Sequence, residues 1–154
     1  MSKKVSKALD EIIKAFRGYE YSIKIGILSG NKNTRRGEGS DTNAEIGAKH
    51  EFGWDELPRR SFLRLPLSSW YFRHKLDEAG FFSGIVKEIK DEKDVKPLLR
   101  KVALVAEATV DEAFHTGGFG QWKPSNMTFK KVHQTLVETG QLRKSITSQV
   151  VKKK

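Results

Sequence analysis

Side chains able to do chemistry are few and scattered in this 154-residue chain. Its four histidines, His50, His74, His115 and His133, are widely separated. No two of them stand in a His-Glu-x-x-His pattern, which would bring both imidazoles to one helix face as metal ligands. His50 beside Glu51 could begin a hydrolytic site, but a lone histidine at a helix end more often caps or packs. Glu107, Asp111 and Glu112 fall on neighbouring turns and could line up for a divalent cation. Carboxylates at that spacing are also the ordinary wet side of an amphipathic helix. Gly117-Gly118-Phe119-Gly120 has the composition of a phosphate cradle, yet it follows a helical pattern instead of a strand and lacks the Gly-Lys-Ser/Thr ending. It reads better as a helix stop and hinge. With no cysteine in the chain, thiolate nucleophiles, disulfides and cysteine zinc sites are excluded together. No activated nucleophile, acid–base pair or metal cluster emerges, so the sequence predicts neither an enzyme nor a bound cofactor.

The elements that would carry these residues follow from periodicity. Val5, Leu9, Ile12, Ile13 and Phe16 share one face of a helix over about residues 3–17, which Gly18 ends. Tyr21 to Leu28 alternates, placing Ile23, Ile25 and Ile27 on one buried face of a strand. Ser29 to Ser40 has no period and reads, with Asp41, as a mobile basic loop. Thr42-Asn43-Ala44-Glu45 is a capping box opening a helix to about Glu51, with Gly53 as its breaker and Pro58 keeping residues 54–60 out of helical geometry. Ser68 to Lys90 is helical but punctuated by Gly80 and Gly84, which predicts two shorter helices. Val95, Leu98, Leu99, Val102, Ala106, Val110 and Ala113 recur at three- and four-residue steps, so a long helix runs over about 94–115, with Pro97 tolerated in its first turn. Residues 117–135, with Trp122 and Pro124, read as a flexible segment with little that demands burial, Thr128 to His133 making a short helical turn. Thr139 can cap a turn over Gln141 to Ser145, and Ile146 to Val151 alternates as a last strand. These elements predict one α+β domain over 1–151: a small antiparallel or mixed sheet packed against the N-terminal helix and the helix near 94–115, with a basic tail at 152–154.

The net charge of +10 is unevenly placed. Residues 1–40 carry nine Lys/Arg against four Asp/Glu, residues 41–116 twelve against fourteen, and residues 117–154 eight against one. Basic ends around a slightly acidic middle suit contact with a polyanion or an acidic protein surface, or are simply solvated. No apolar window approaches the roughly 20 residues of a spanning helix, and Met1-Ser2-Lys3-Lys4 leads into an amphipathic pattern. The expectation is a protein made and used in a cytoplasm, without membrane contact. Trp54, Trp70 and Trp122 do not fall on a predicted strand among basic residues, so a single-strand stacking platform is not indicated. What remains of a nucleic-acid reading is phosphate contact without sequence readout.

Four segments in order carry a resemblance. They are Ser22-Ile23-Lys24-Ile25-Gly26-Ile27; Asn43-Ala44-Glu45-Ile46-Gly47-Ala48-Lys49-His50-Glu51-Phe52-Gly53; Leu57-Pro58-Arg59-Arg60-Ser61-Phe62-Leu63-Arg64; and Leu136-Val137-Glu138-Thr139-Gly140-Gln141-Leu142-Arg143-Lys144-Ser145-Ile146. Together with Trp122-Lys123-Pro124-Ser125, this order resembles the tail-completion, neck or head–tail joining proteins of tailed bacteriophages. Ser61 departs from the proline expected before the phenylalanine, and Arg59 replaces a commonly small residue.

The resemblance implies a structural virion protein in the neck or tail, assembled in the bacterial host cytoplasm. Copies would form a homo-oligomeric ring that completes the tail and joins it to the head. Its partners would be itself, the neighbouring head–tail connector, tail terminator or tail tube proteins, and packaged DNA in the channel. A ring requires heterologous interfaces. Phe52, Trp54, Pro58, Arg59, Arg60, Phe62, Leu63 and Arg64 compose an aromatic arm flanked by arginines, which suits an interface centre. Phe52, Phe62 and Leu63 could equally fill the domain's own core. Lys32, Arg35, Arg36, Lys152, Lys153 and Lys154 are the candidate contacts to channel DNA or an acidic partner. The alternatives are a small basic nucleic-acid-binding protein without sequence specificity and a metal-dependent nuclease using Glu107, Asp111 and Glu112.

Overall fold

The computed structural model describes residues 21–28, 30, 33–35, 38–90, 95–123 and 140–153. The helix expected over 3–17, the turn at 128–133 and the Thr139 cap lie outside these residues. Strand β1 (Tyr21–Gly26) pairs antiparallel with β2 (Thr147–Lys152), Tyr21 opposite Lys152 and Gly26 opposite Thr147. Residues directly opposite share a face, so Ile23 and Ile25 lie with Val150 and Ser148 on one side of the ribbon. Ile25 and Ile27 pack against the core, as their alternation predicts.

Between the strands run the helices α1 (Asn43–Phe52), α2 (Arg64–Ser68), α3 (Trp70–Glu78), α4 (Phe81–Lys90), α5 (Lys96–His115) and α6 (Gln141–Ser145). The fold is α+β, with the long helix α5 lying against both strands. Its buried positions, Leu98, Leu99, Ala103, Ala106, Val110, Ala113 and Phe114, form the stripe that meets the sheet and the short helices. Thr109 is also fully buried there, with its hydroxyl donating to the Val105 carbonyl at 2.8 Å.

The capping box of α1 is complete. The Thr42 amide donates to the Glu45 carboxylate at 2.7 Å, and the Glu45 amide donates to the Thr42 hydroxyl at 3.3 Å. The preceding loop is tied to the same helix end, since the Ala44 amide donates to the Asn33 side chain at 2.8 Å and the Asn43 amide to the Thr34 carbonyl at 3.0 Å. Asn33 and Thr34 are thus tied to the start of α1, within a loop that the sequence reads as mobile. Gly80 separates α3 from α4 with φ of 70°, whereas Gly84 sits inside α4 without interrupting it.

The end of α5 departs most from expectation. Gly117, Gly118, Phe119 and Gly120 all have positive φ, and the Gly118 amide reaches back to the Ala113 carbonyl at 2.7 Å in a Schellman closure. This left-handed turn folds Trp122 back onto the core, where its ring meets Phe114 edge-on at 5.6 Å. A Cβ on Gly118 would lie 2.2 Å from Trp122 Nε1, so the glycine serves both the backbone angle and the approach of the indole. The segment read as having little to bury therefore supplies a core tryptophan: an aromatic packed by a reversal of the chain leaves no periodic trace in sequence.

Candidate interaction site

Helix α1 ends at Phe52, and the chain turns sharply at once. Trp54 and Leu57 exchange backbone hydrogen bonds of 3.2 and 2.8 Å around Asp55, whose φ of 49° is left-handed. Residues 54–57 are thus a closed turn outside helical geometry, as Pro58 predicts. The Arg60 amide then donates to the His50 carbonyl at 2.7 Å, so the returning chain lies against the last turn of α1. Phe52 and Trp54 are each 64% exposed on this corner. Arg64 stands 4.6 Å from the Phe52 ring centroid and Lys49 5.8 Å from that of Trp54, placing cations over both aromatics.

What holds the corner is Glu51, 5% exposed and directed inward. One carboxylate oxygen accepts from the amides of Phe62 at 2.7 Å and Leu63 at 2.9 Å. The other accepts from the Ser61 hydroxyl at 2.7 Å, the Arg64 amide at 3.1 Å and Arg64 Nε at 2.9 Å. Five donors around one carboxylate make an anion nest at the start of α2, where amides otherwise lack partners. Burial by itself would push this carboxyl up. The hydrogen bonds from Leu63, Arg64 and Ser61 outweigh it and hold Glu51 below the ordinary glutamate value. Ser61, the departure from the expected proline, belongs to this nest: its hydroxyl donates to Glu51 and accepts from the Leu65 amide at 3.1 Å.

Behind the corner, Gly47 is buried on the inner face of α1. A Cβ there would lie 2.8 Å from Ile27 Cδ1, 3.2 Å from Phe62 Cζ and 3.4 Å from Leu142 Cδ1. One residue from each of the four ordered segments meets at this point. Glycine is required by the crowding, for its φ is helical and no turn demands it.

The predicted interface residues divide accordingly. Phe62, 1% exposed, is core, and Leu63 packs beside it. Arg60 is buried with its Nε donating to the Lys123 carbonyl at 3.1 Å. Phe52, Trp54 and Arg59 are exposed, Arg64 is exposed while bonded to Glu51, and Pro58 is half-buried. The inward turn of Phe62 and Arg60 corrects the reading of the whole arm as an outward surface, because the Glu51 nest fixes residues 61–64 against α1. Glu51 itself was missed as an anchor. The signal available was an acidic residue four positions after a glycine in a segment followed by a serine-and-arginine-rich return.

Of the basic candidates, Arg35 is exposed beside Thr42, Lys152 closes β2 and Lys153 is exposed; Lys32, Arg36 and Lys154 lie outside the described residues. Asp111 faces His115 at 3.3 Å and Arg143 at 3.2 Å, and His74 faces Glu78 at 3.5 Å. Among the described residues no three histidines or carboxylates gather as a metal site, and no helix is long and apolar enough to cross a membrane. Comparison with protein-family models, with curated proteins and with solved structures finds no match for this chain.

Proposed function

We propose that this chain is a structural virion protein of a tailed phage, assembling at the head–tail junction or the top of the tail to complete the tail and join it to the head. The observation that carries the reading is the meeting of all four motif segments at Gly47. Segments far apart in sequence that resemble a family in order, and that pack on one another around a glycine with no room for a side chain, behave as a packing signature of one fold. The hollow they line, about 290 Å³, is apolar apart from Glu51 and Arg64, whose charged groups are bonded to each other at 2.9 Å. The same arrangement turns Phe52 and Trp54 outward on a rigid corner, which suits a subunit whose work is contact.

Deleting the gene from the encoding phage tests this directly. The expected result is filled heads and complete tails that fail to join, restored by the gene in trans, with the protein located at the junction by imaging of wild-type particles. Normal infectious particles without it would reject the proposal. Loss of replication with joined particles, together with salt-sensitive DNA binding by the purified chain, would favour the nucleic-acid-binding alternative.

A further inference from the structure

The exposed corner has a counterpart elsewhere on the molecule. Helix α5 buries one stripe, yet Leu104 stands off that stripe and is 64% exposed. With Glu107, Ala108, Asp111, Arg143 and Ile146 it lines a hollow of about 360 Å³ between α5 and the start of β2. Hollows that hold whole organic ligands begin at about 300 Å³, so this one can take a large aromatic side chain. The hollow is apolar at Leu104, Ala108 and Ile146, with Glu107 negative and Asp111 paired with Arg143 at 3.2 Å.

The corner carries the complementary set. Trp54 projects from a turn closed by two backbone hydrogen bonds, so it is presented at small entropic cost. Beside it Arg59 is exposed and, among the described residues, makes no ion pair, while Asp55 and Glu56 lie at the tip. Trp70 is also exposed, but its ring is packed edge-on against Tyr71 and His74 and has no such cation beside it on a closed turn.

Resting on the ring reading, we propose that the occupant of the α5 hollow is the Trp54 corner of a second copy of this chain. Trp54 enters against Leu104, Arg59 faces Glu107, and the acidic tip faces Arg143. The corner and the hollow share no residue, so the contact is heterologous and propagates from copy to copy, as a closed ring requires.

The test is sedimentation velocity on the full-length chain over a concentration series, with Trp54→Ala as the corner variant and Leu104→Glu as the hollow variant. Both positions are exposed, and thermal unfolding checks that each variant folds. Wild type should form species larger than dimers. Each variant alone should associate at least about thirtyfold more weakly, as for loss of a hot-spot aromatic. An equimolar mixture of the two should form dimers and nothing larger, because each retains one intact face. Arg59→Glu combined with Glu107→Arg in one chain should recover association that either change alone weakens. Wild type that assembles unimpaired by both substitutions overturns this docking and leaves the ring reading standing. Wild type that remains monomeric throughout overturns it as well. So does a hollow variant that loses fold stability with no dimer on mixing. If Trp54→Ala instead weakens binding of a labelled oligonucleotide and leaves assembly unchanged, the corner is a nucleic-acid platform and the docking is wrong.

Discussion

Replacing Glu51 tests the account of the corner most directly. Glu51→Ala removes the acceptor for the Ser61 hydroxyl, the Phe62, Leu63 and Arg64 amides and Arg64 Nε. A single charge-assisted hydrogen bond contributes about 1.5–3 kcal/mol. The five share one carboxylate and are not additive, so the expected loss is about 3–5 kcal/mol, the range for breaking a buried ionic group away from its partners. Glu51→Gln keeps one acceptor, which can serve Phe62 and Leu63, but turns an NH2 toward the Arg64 donors; about 2–3 kcal/mol is expected. In a domain of this size that is a fall in Tm of roughly 4–12 °C. The sign of the pH effect follows from the depressed folded pKa. The carboxylate's contribution is fully present above the unfolded value and disappears as pH falls from the ordinary 4.5 down through the folded value. Urea unfolding of wild type and Glu51→Gln between pH 7 and pH 3 should show the two converging as pH falls. A Gln variant within 0.5 kcal/mol of wild type at neutral pH, or a gap independent of pH, would refute the carboxylate's role as anchor.

Four further changes probe the packing and the surface. Gly47→Val should destabilise by about 2–4 kcal/mol in urea melts, since its side chain meets Ile27, fully buried Phe62 and Leu142. Gly118→Ala should cost about 2–4 kcal/mol, because the left-handed angle and the 2.2 Å approach to Trp122 Nε1 both oppose it, whereas Gly117→Ala, with open space around its Cβ, should cost only about 1–2 kcal/mol by the same assay. Trp54→Ala should leave stability within about 0.5 kcal/mol of wild type while removing self-association.

Much of the fold was legible because its signals are local. The Thr42–Glu45 box, the alternation of Ile23, Ile25 and Ile27 and the stripe of α5 each depend on residues a few positions apart, and the structure carries all three. Contacts made by reversals of chain direction were not. Trp122 reaches the core through four consecutive left-handed residues, and Glu51 binds residues ten to thirteen positions later, so neither relation repeats with any period. The two shorter helices expected over 68–90 are α3 and α4, divided at Gly80; Gly84 lies inside α4, since a glycine costs a helix only about 1 kcal/mol, which packing overrides.

The arm illustrates why composition alone could not separate surface from core. Glu51 and Phe52 are neighbours on α1, yet one points into the nest and the other into solvent, and the same split recurs between Arg59 and Arg60 and between Phe62 and Arg64. The buried carboxylate holds Phe62 and Leu63 inward through their amides, while the Arg64 side chain reaches it from the solvent side. Residues that hold the corner, Glu51, Ser61, Phe62 and Gly47, have their types explained by partners within the fold. Phe52 and Trp54, each 64% exposed with a cation over its ring, put two large aromatics on one corner, the composition of a contact surface. Substitutions at the two sets should separate cleanly: loss of stability at the first, loss of association with stability intact at the second.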